Sequence, residues 1–171
     1  MEQRIAEMKA MGVKIEHNHA ERHDQVPATY TADFGPWEGR DGYANVPNRP
    51  TLANLLVMEE EFAHALGSDE KLYGKDPIHM LWEELRAKHY ARLKVEEVFE
   101  LDVDAHSQND MTTQNYIDFA RQMQKYTRQT YDDELIEKIR ADAYATAERQ
   151  YREGKITVGN SGDRFKQFYA R

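Results

Sequence analysis

Proline does most to limit what this chain can fold into. Four of the five prolines, Pro27, Pro36, Pro47 and Pro50, fall within DQVPATYTADFGPWEGRDGYANVPNRP, residues 24–50, together with Gly35, Gly39 and Gly42. Each proline removes a backbone donor and fixes φ, so no helical or strand period is expected to survive there. The fifth, Pro77, follows Asp76, a cap residue ahead of proline at the first helical position. From Thr51 onward, apolar residues recur at helical spacing almost throughout.

The expected fold is therefore all-α: a helical bundle of about four helices with a long irregular N-terminal arm. Residues 1–50 form a short helix plus a Pro/Gly/aromatic arm, and residues 51–171 form the bundle with a short C-terminal tail. The first helix covers residues 1–11, with Ile5, Met8 and Met11 three apart and Gly12 as its stop, and Val13–Glu16 extends briefly. Thr51 caps a helix to about Leu66, closed by Gly67, and Pro77 opens another that reaches at least Leu93. In FELDVD the alternation of Phe99, Leu101 and Val103 with acids changes the pattern. A third bundle helix carries Tyr116, Phe119, Ala120, Met123 and Tyr126 on one face. Asp132 caps a fourth, with Leu135, Ile136, Ile139 and Ala143 inward and a stop near Gly154. Phe165, Phe168 and Tyr169 in the basic tail can pack back.

A chain of 171 residues suits one domain with a real core. A net charge of −8 argues against nucleic acid and anionic membranes as partners, both of which need a basic face. The absence of cysteine excludes disulfide-linked partners, thiolate metal sites and cysteine nucleophiles. With no apolar run of membrane-spanning length and no signal-peptide core in MEQRIAEMKAMG, the expected compartment is the cytoplasm.

Four arm aromatics, Tyr30, Phe34, Trp37 and Tyr43, are too apolar to be left in water. They dock either on the chain's own helices or on another subunit, with Trp37 as the natural anchor.

Polar residues on apolar faces mark where chemistry could sit. Leu52, Leu55, Leu56, Phe62 and Leu66 share one helical face, and Glu59 falls near its centre. On the helix from Pro77, the face of Ile78, Leu81, Trp82 and Leu85 continues into His89, Arg92 and Glu96. Glu59, His89 and Glu96 would suit a carboxylate–imidazole metal site, or an acid–base pocket in which Arg92 binds an anion. The plainer alternative is a salt bridge from Arg92 to Glu59 or Glu96. Glu61-Phe62-Ala63-His64 has the Glu-x-x-His spacing of ferritin-like di-iron bundles, in a single copy. Helical counting places Glu61 and His64 on the solvent side.

In VKIEHNHAERHD, His17, His19 and His23 converge only if strand passes into helix at His19, with Asp24 able to complete the set. Imidazole and carboxylate groups suit a divalent transition metal. No cofactor is otherwise indicated: the nucleophile elbow, phosphate-cradling loop and dinucleotide fingerprint are all missing.

The expected function is that of a non-catalytic or site-supporting helical subunit of a hetero-oligomeric enzyme, bound to a larger subunit through its arm. The alternative is a small stand-alone metal-binding or acid–base enzyme with a carboxylate/histidine cluster in the bundle. YIDFARQ and DDELIEKI resemble helical regions of nitrile-hydratase-type β subunits, a likeness that covers under a quarter of the chain and carries no site residues.

Overall fold

The computed structural model describes residues 2–10, 14–17, 43–46, 52–67, 77–99, 109–125, 129–154 and 165–169. In chain order these form α1 (Glu2–Ala10), β1 (Lys14–His17), β2 (Tyr43–Val46), α2 (Leu52–Gly67), α3 (Pro77–Phe99), α4 (Asn109–Met123) and α5 (Asp133–Glu153). A 3₁₀ turn, Lys166–Phe168, follows. The described residues are mainly α-helical, as expected, and none of their helices is long and apolar enough to cross a membrane.

The central element is α3. It starts at Pro77, where a missing backbone donor costs nothing. It then runs past Leu93 to Phe99, where the FELDVD pattern begins, packing against α2, α4 and α5. Ile78, Leu81, Trp82 and Leu85 of α3 meet Ile117 and Ala120 of α4 and Ile136, Ile139 and Ala143 of α5. Tyr131, Phe165 and Phe168 complete that core, so the tail does pack back. The Trp82 ring meets Phe165 edge-on at 5.3 Å between centroids, while its indole Nε1 donates to Asp142 Oδ2 at 2.8 Å. A buried tryptophan needs such a polar partner.

A second core joins the N-terminal segment to the helices. Met8 of α1 is buried with Met58, Phe62, Ala63 and Leu66 of α2, Ala87 and Tyr90 of α3, and Ala147 of α5.

Local signals explain the ends of α5. Asp132 has extended backbone and its side chain accepts from the Leu135 amide at 2.9 Å, satisfying one of the four orphan donors of the first turn. Gly154 closes the helix at φ +78°, a conformation that a Cβ disfavours.

Two expectations need correction. Among the described side chains of α4 the buried ones are Ile117 and Ala120, whereas Phe119 stays 39% exposed. Contact with α3 is made along the stripe through positions 117 and 120, and Phe119 lies about 100° from Ala120 around the helix. The Tyr116 side chain and Tyr126 lie outside the described residues. Within residues 24–50, where no strand was expected, Tyr43–Val46 form β2, which pairs in parallel with β1 in the register Lys14–Tyr43 to His17–Val46. That pairing is tertiary and leaves no local signal in a proline- and glycine-rich stretch.

Candidate metal centre

The polar residues expected on apolar faces do not form one site. Glu59 of α2 is held by α1, with Arg4 Nε 2.8 Å from each of its carboxylate oxygens and the same guanidinium stacked over Phe62. Arg92 and Glu96 do come together, as a half-exposed pair at 2.9 Å one turn apart on α3. His89 turns toward α5, its ring stacked on Tyr144 at 4.0 Å and its Nε2 3.4 Å from Glu148 Oε1. Burial disfavours the charged imidazole there and pushes its pKa down, against the pull of Glu148. Only the backbone of His17 and Tyr43 lies among the described residues. His19, His23, Tyr30, Phe34 and Trp37 fall outside them.

A different cluster is buried between α2 and α3. The helical count that put Glu61 and His64 in solvent fails, since both are almost fully enclosed. The count allowed α2 one buried face, but α1, α3 and β2 together cover it on several. The same holds for α3, where Glu83, Glu84, Arg86 and Lys88 are buried besides the apolar stripe.

Antiparallel packing brings these residues together. Glu60 and His64 lie one turn apart on α2, as do Glu84 and Lys88 on α3. Lys88 Nζ donates to Glu60 Oε1 at 2.6 Å, and His64 Nε2 lies 3.8 Å from Glu84 Oε1. A step of four forward on α2 is thus a step of four back on α3.

One ligand atom each from Glu60, His64 and Glu84 lies within 4.8 Å of the others. Behind them, His64 Nδ1 is 3.0 Å from Glu83 Oε1, which fixes the ring and turns Nε2 toward Glu84. Glu83 is itself gripped by the fully buried Arg86, whose Nε donates to Oε2 at 2.9 Å and whose second amino group reaches Oε1. Arg86 also donates to Gln150 Oε1 on α5 at 2.5 Å and to the Ala63 carbonyl at 2.9 Å.

Electrostatics follow from this enclosure. Desolvation pushes the Glu61 carboxyl up to about 8, reinforced by Glu60 and Glu84, although His64 and Lys88 pull it down. Its Oε2 is buried without a hydrogen-bond partner. Burial also works against a charged His64, but Glu83, Glu84 and Glu61 outweigh it and raise the imidazole to about 9. For Glu83, desolvation is overcome by Arg86 and His64, which hold it down at about 2. Four acids (Glu60, Glu61, Glu83 and Glu84) therefore face three cations (His64, Arg86 and Lys88), and a proton on Glu61 closes the balance.

The i,i+4 pairs Glu60/His64 and Glu84/Lys88 were visible in the sequence. What pointed away from them was the assumption of a single buried face per helix. No family model, curated protein or solved structure matches this chain.

Proposed function

We propose that this chain is a metal-binding helical bundle in which Glu60, His64 and Glu84 hold a divalent first-row transition ion. The observation that carries this is the convergence of one imidazole and two carboxylates, from two helices, within 4.8 Å. Ligand atoms of a tetrahedral zinc site with bonds near 2.1 Å are about 3.4 Å apart, so side-chain adjustments of roughly an ångström close the set. Two features support a ligand rather than a purely structural ion-pair network. The buried Glu61 Oε2 beside the cluster has no hydrogen-bond partner. His64 is already oriented through Nδ1 by a carboxylate, the usual support of a ligating imidazole, and binding through Nε2 would release to solvent the proton that the neighbouring acids hold on the ring. Imidazole with carboxylates suits zinc, iron(II) or manganese(II), and three protein ligands leave coordination positions for water or substrate.

Metal content and calorimetric titration with Zn²⁺ on the full, tag-free chain test the proposal. One equivalent is expected, lost in His64→Ala and in Glu84→Gln but kept when His17, His19 and His23 are all replaced by alanine. Binding that survives His64→Ala, or that disappears with the three N-terminal histidines, refutes it.

A second reading keeps the chain as a cytoplasmic helical subunit bound through its arm to a larger protein. Among the described residues, Phe119 and Tyr169 are the large apolar side chains left exposed, and aromatic rings of this kind are enriched at protein interfaces. Co-purification from the native cell with a defined larger chain, broken by Trp37→Ala or Phe119→Ser, is the expected result. A monomer with no stoichiometric companion counts against it.

A further inference from the structure

We propose that Lys88 is an internal competitor of the bound ion: its ammonium occupies the carboxylate edge of the cluster and must be displaced before a divalent cation can hold Glu60. This rests on the metal-binding reading above and adds to it the residue that sets affinity.

Lys88 lies where a competing cation should. Its Nζ is hydrogen-bonded at 2.6 Å to Glu60, one of the three candidate ligands. The carboxylates acting on it are Glu60, Glu84 and Glu61: two of them candidate ligands, the third the group with a buried, unpartnered oxygen. The helix register explains the placement. Lys88 is one turn beyond Glu84 on α3, and Glu60 one turn before His64 on the antiparallel α2, so the ammonium faces Glu60 while Glu84 faces His64.

The Lys88–Glu60 pair also closes the outer edge. Their side chains are 10% and 12% exposed, more than those of His64, Glu83 and Glu84 within. A lysine carries its charge on a flexible four-carbon stem, so the head can swing to water while the stem continues to cover apolar surface. Two positive charges arriving between Glu60 and Glu84 repel the ammonium and take over its neutralising role. The displacement cost is the same for every divalent ion. Ions that bind mixed imidazole–carboxylate sets weakly are then held below useful affinity, and those high in the Irving–Williams order remain.

The test is calorimetric titration with Zn²⁺, against a competing chelator, of the full chain and its Lys88→Met, Lys88→Arg and His64→Ala variants. Lys88→Met should bind Zn²⁺ on the order of tenfold more tightly than wild type, the coupling usual within one ion-pair network. Lys88→Arg, which keeps the charge, should stay near wild type. Equal or weaker binding by Lys88→Met overturns the inference and leaves the metal site standing. If neither wild type nor Lys88→Met binds Zn²⁺, or if His64→Ala binds like wild type, the site itself is refuted and this inference with it. Should Lys88→Met fail to fold, wild type answers alone. Acetylation of the Lys88 amine, mapped by mass spectrometry, should quicken several-fold when Zn²⁺ is added, and an unchanged rate overturns displacement.

Discussion

Replacing Arg86 with methionine should lower the stability of the metal-free chain by about 3–5 kcal/mol, the usual result of breaking a buried ion pair from one side. Arg86 has no exposed surface, and its guanidinium bridges Glu83, Gln150 and the Ala63 carbonyl. Methionine fills much of the stem's volume, so the loss is electrostatic rather than a cavity. Glu83 would keep His64 as its remaining named partner, while Gln150 Oε1 and the Ala63 carbonyl lose a buried donor. An unsatisfied buried acceptor alone costs roughly 1–3 kcal/mol. For a chain of this size the total corresponds to a melting temperature lower by about 6–20 °C. Urea denaturation followed by far-ultraviolet circular dichroism measures it, with an unchanged m-value as the check that the same surface unfolds. Adding Glu83→Gln should then cost much less than in wild type, because the stranded charge is already the main penalty. A loss under about 1 kcal/mol for Arg86→Met would show that water or rearrangement satisfies Glu83, and the enclosed network described here would be wrong.

Stability without metal should be greatest near pH 5 and fall on both sides. Glu61 and His64 have folded pKa values raised to about 8 and about 9, so their contributions are whole below 4.5 and 6.5 respectively and are fully lost once pH has climbed past about 8 and about 9. Glu83, held at about 2, contributes above 4.5 and loses its share as pH falls toward 2. Chemical denaturation across pH 3–9 in chelator follows this, and Glu61→Gln should flatten the slope between 5 and 8; an unflattened slope assigns that titration elsewhere. Asp132→Ala removes the cap of α5 and should cost about 1 kcal/mol, read as a shift in the urea midpoint; no shift would mean that the cap bond does not hold in solution. Ile139→Ala, in the centre of the larger core, should cost about 2–5 kcal/mol in the same assay, and a smaller loss would place α5 differently.

Helix existence was legible because its signals are local. Pro77 announces the start of α3, Asp132 and Gly154 bracket α5, and the inward set Ile136, Ile139 and Ala143 follows from a 3.6-residue period. The burial of Met8 was not legible, because α1 meets α2 only in the folded chain. The cluster was hidden for a related reason. A period shows which residues share a face, but not how many faces are covered. Glu61 and His64 look solvent-facing on a helix with one apolar stripe, and they are enclosed, as are Glu84 and Lys88 opposite them, because α2 and α3 are each covered on several sides. Glu59, singled out because it falls on an apolar face, is paired with Arg4 from the far N-terminal helix, a partner that no local pattern reveals.

The small ribbon of β1 and β2 sets a condition on the segment between them. Two strands running the same way oblige the chain leaving His17 to travel back the length of one strand, about 10 Å, before Tyr43 can enter alongside Lys14. A crossover of about a dozen residues is the usual minimum for such a return, yet the 25 residues 18–42 are interposed. Both ends of that segment are anchored to the same molecule at neighbouring points. Shortening it to the minimum should therefore leave the ribbon able to pair, and any activity that vanishes with the excised residues belongs to them rather than to the scaffold.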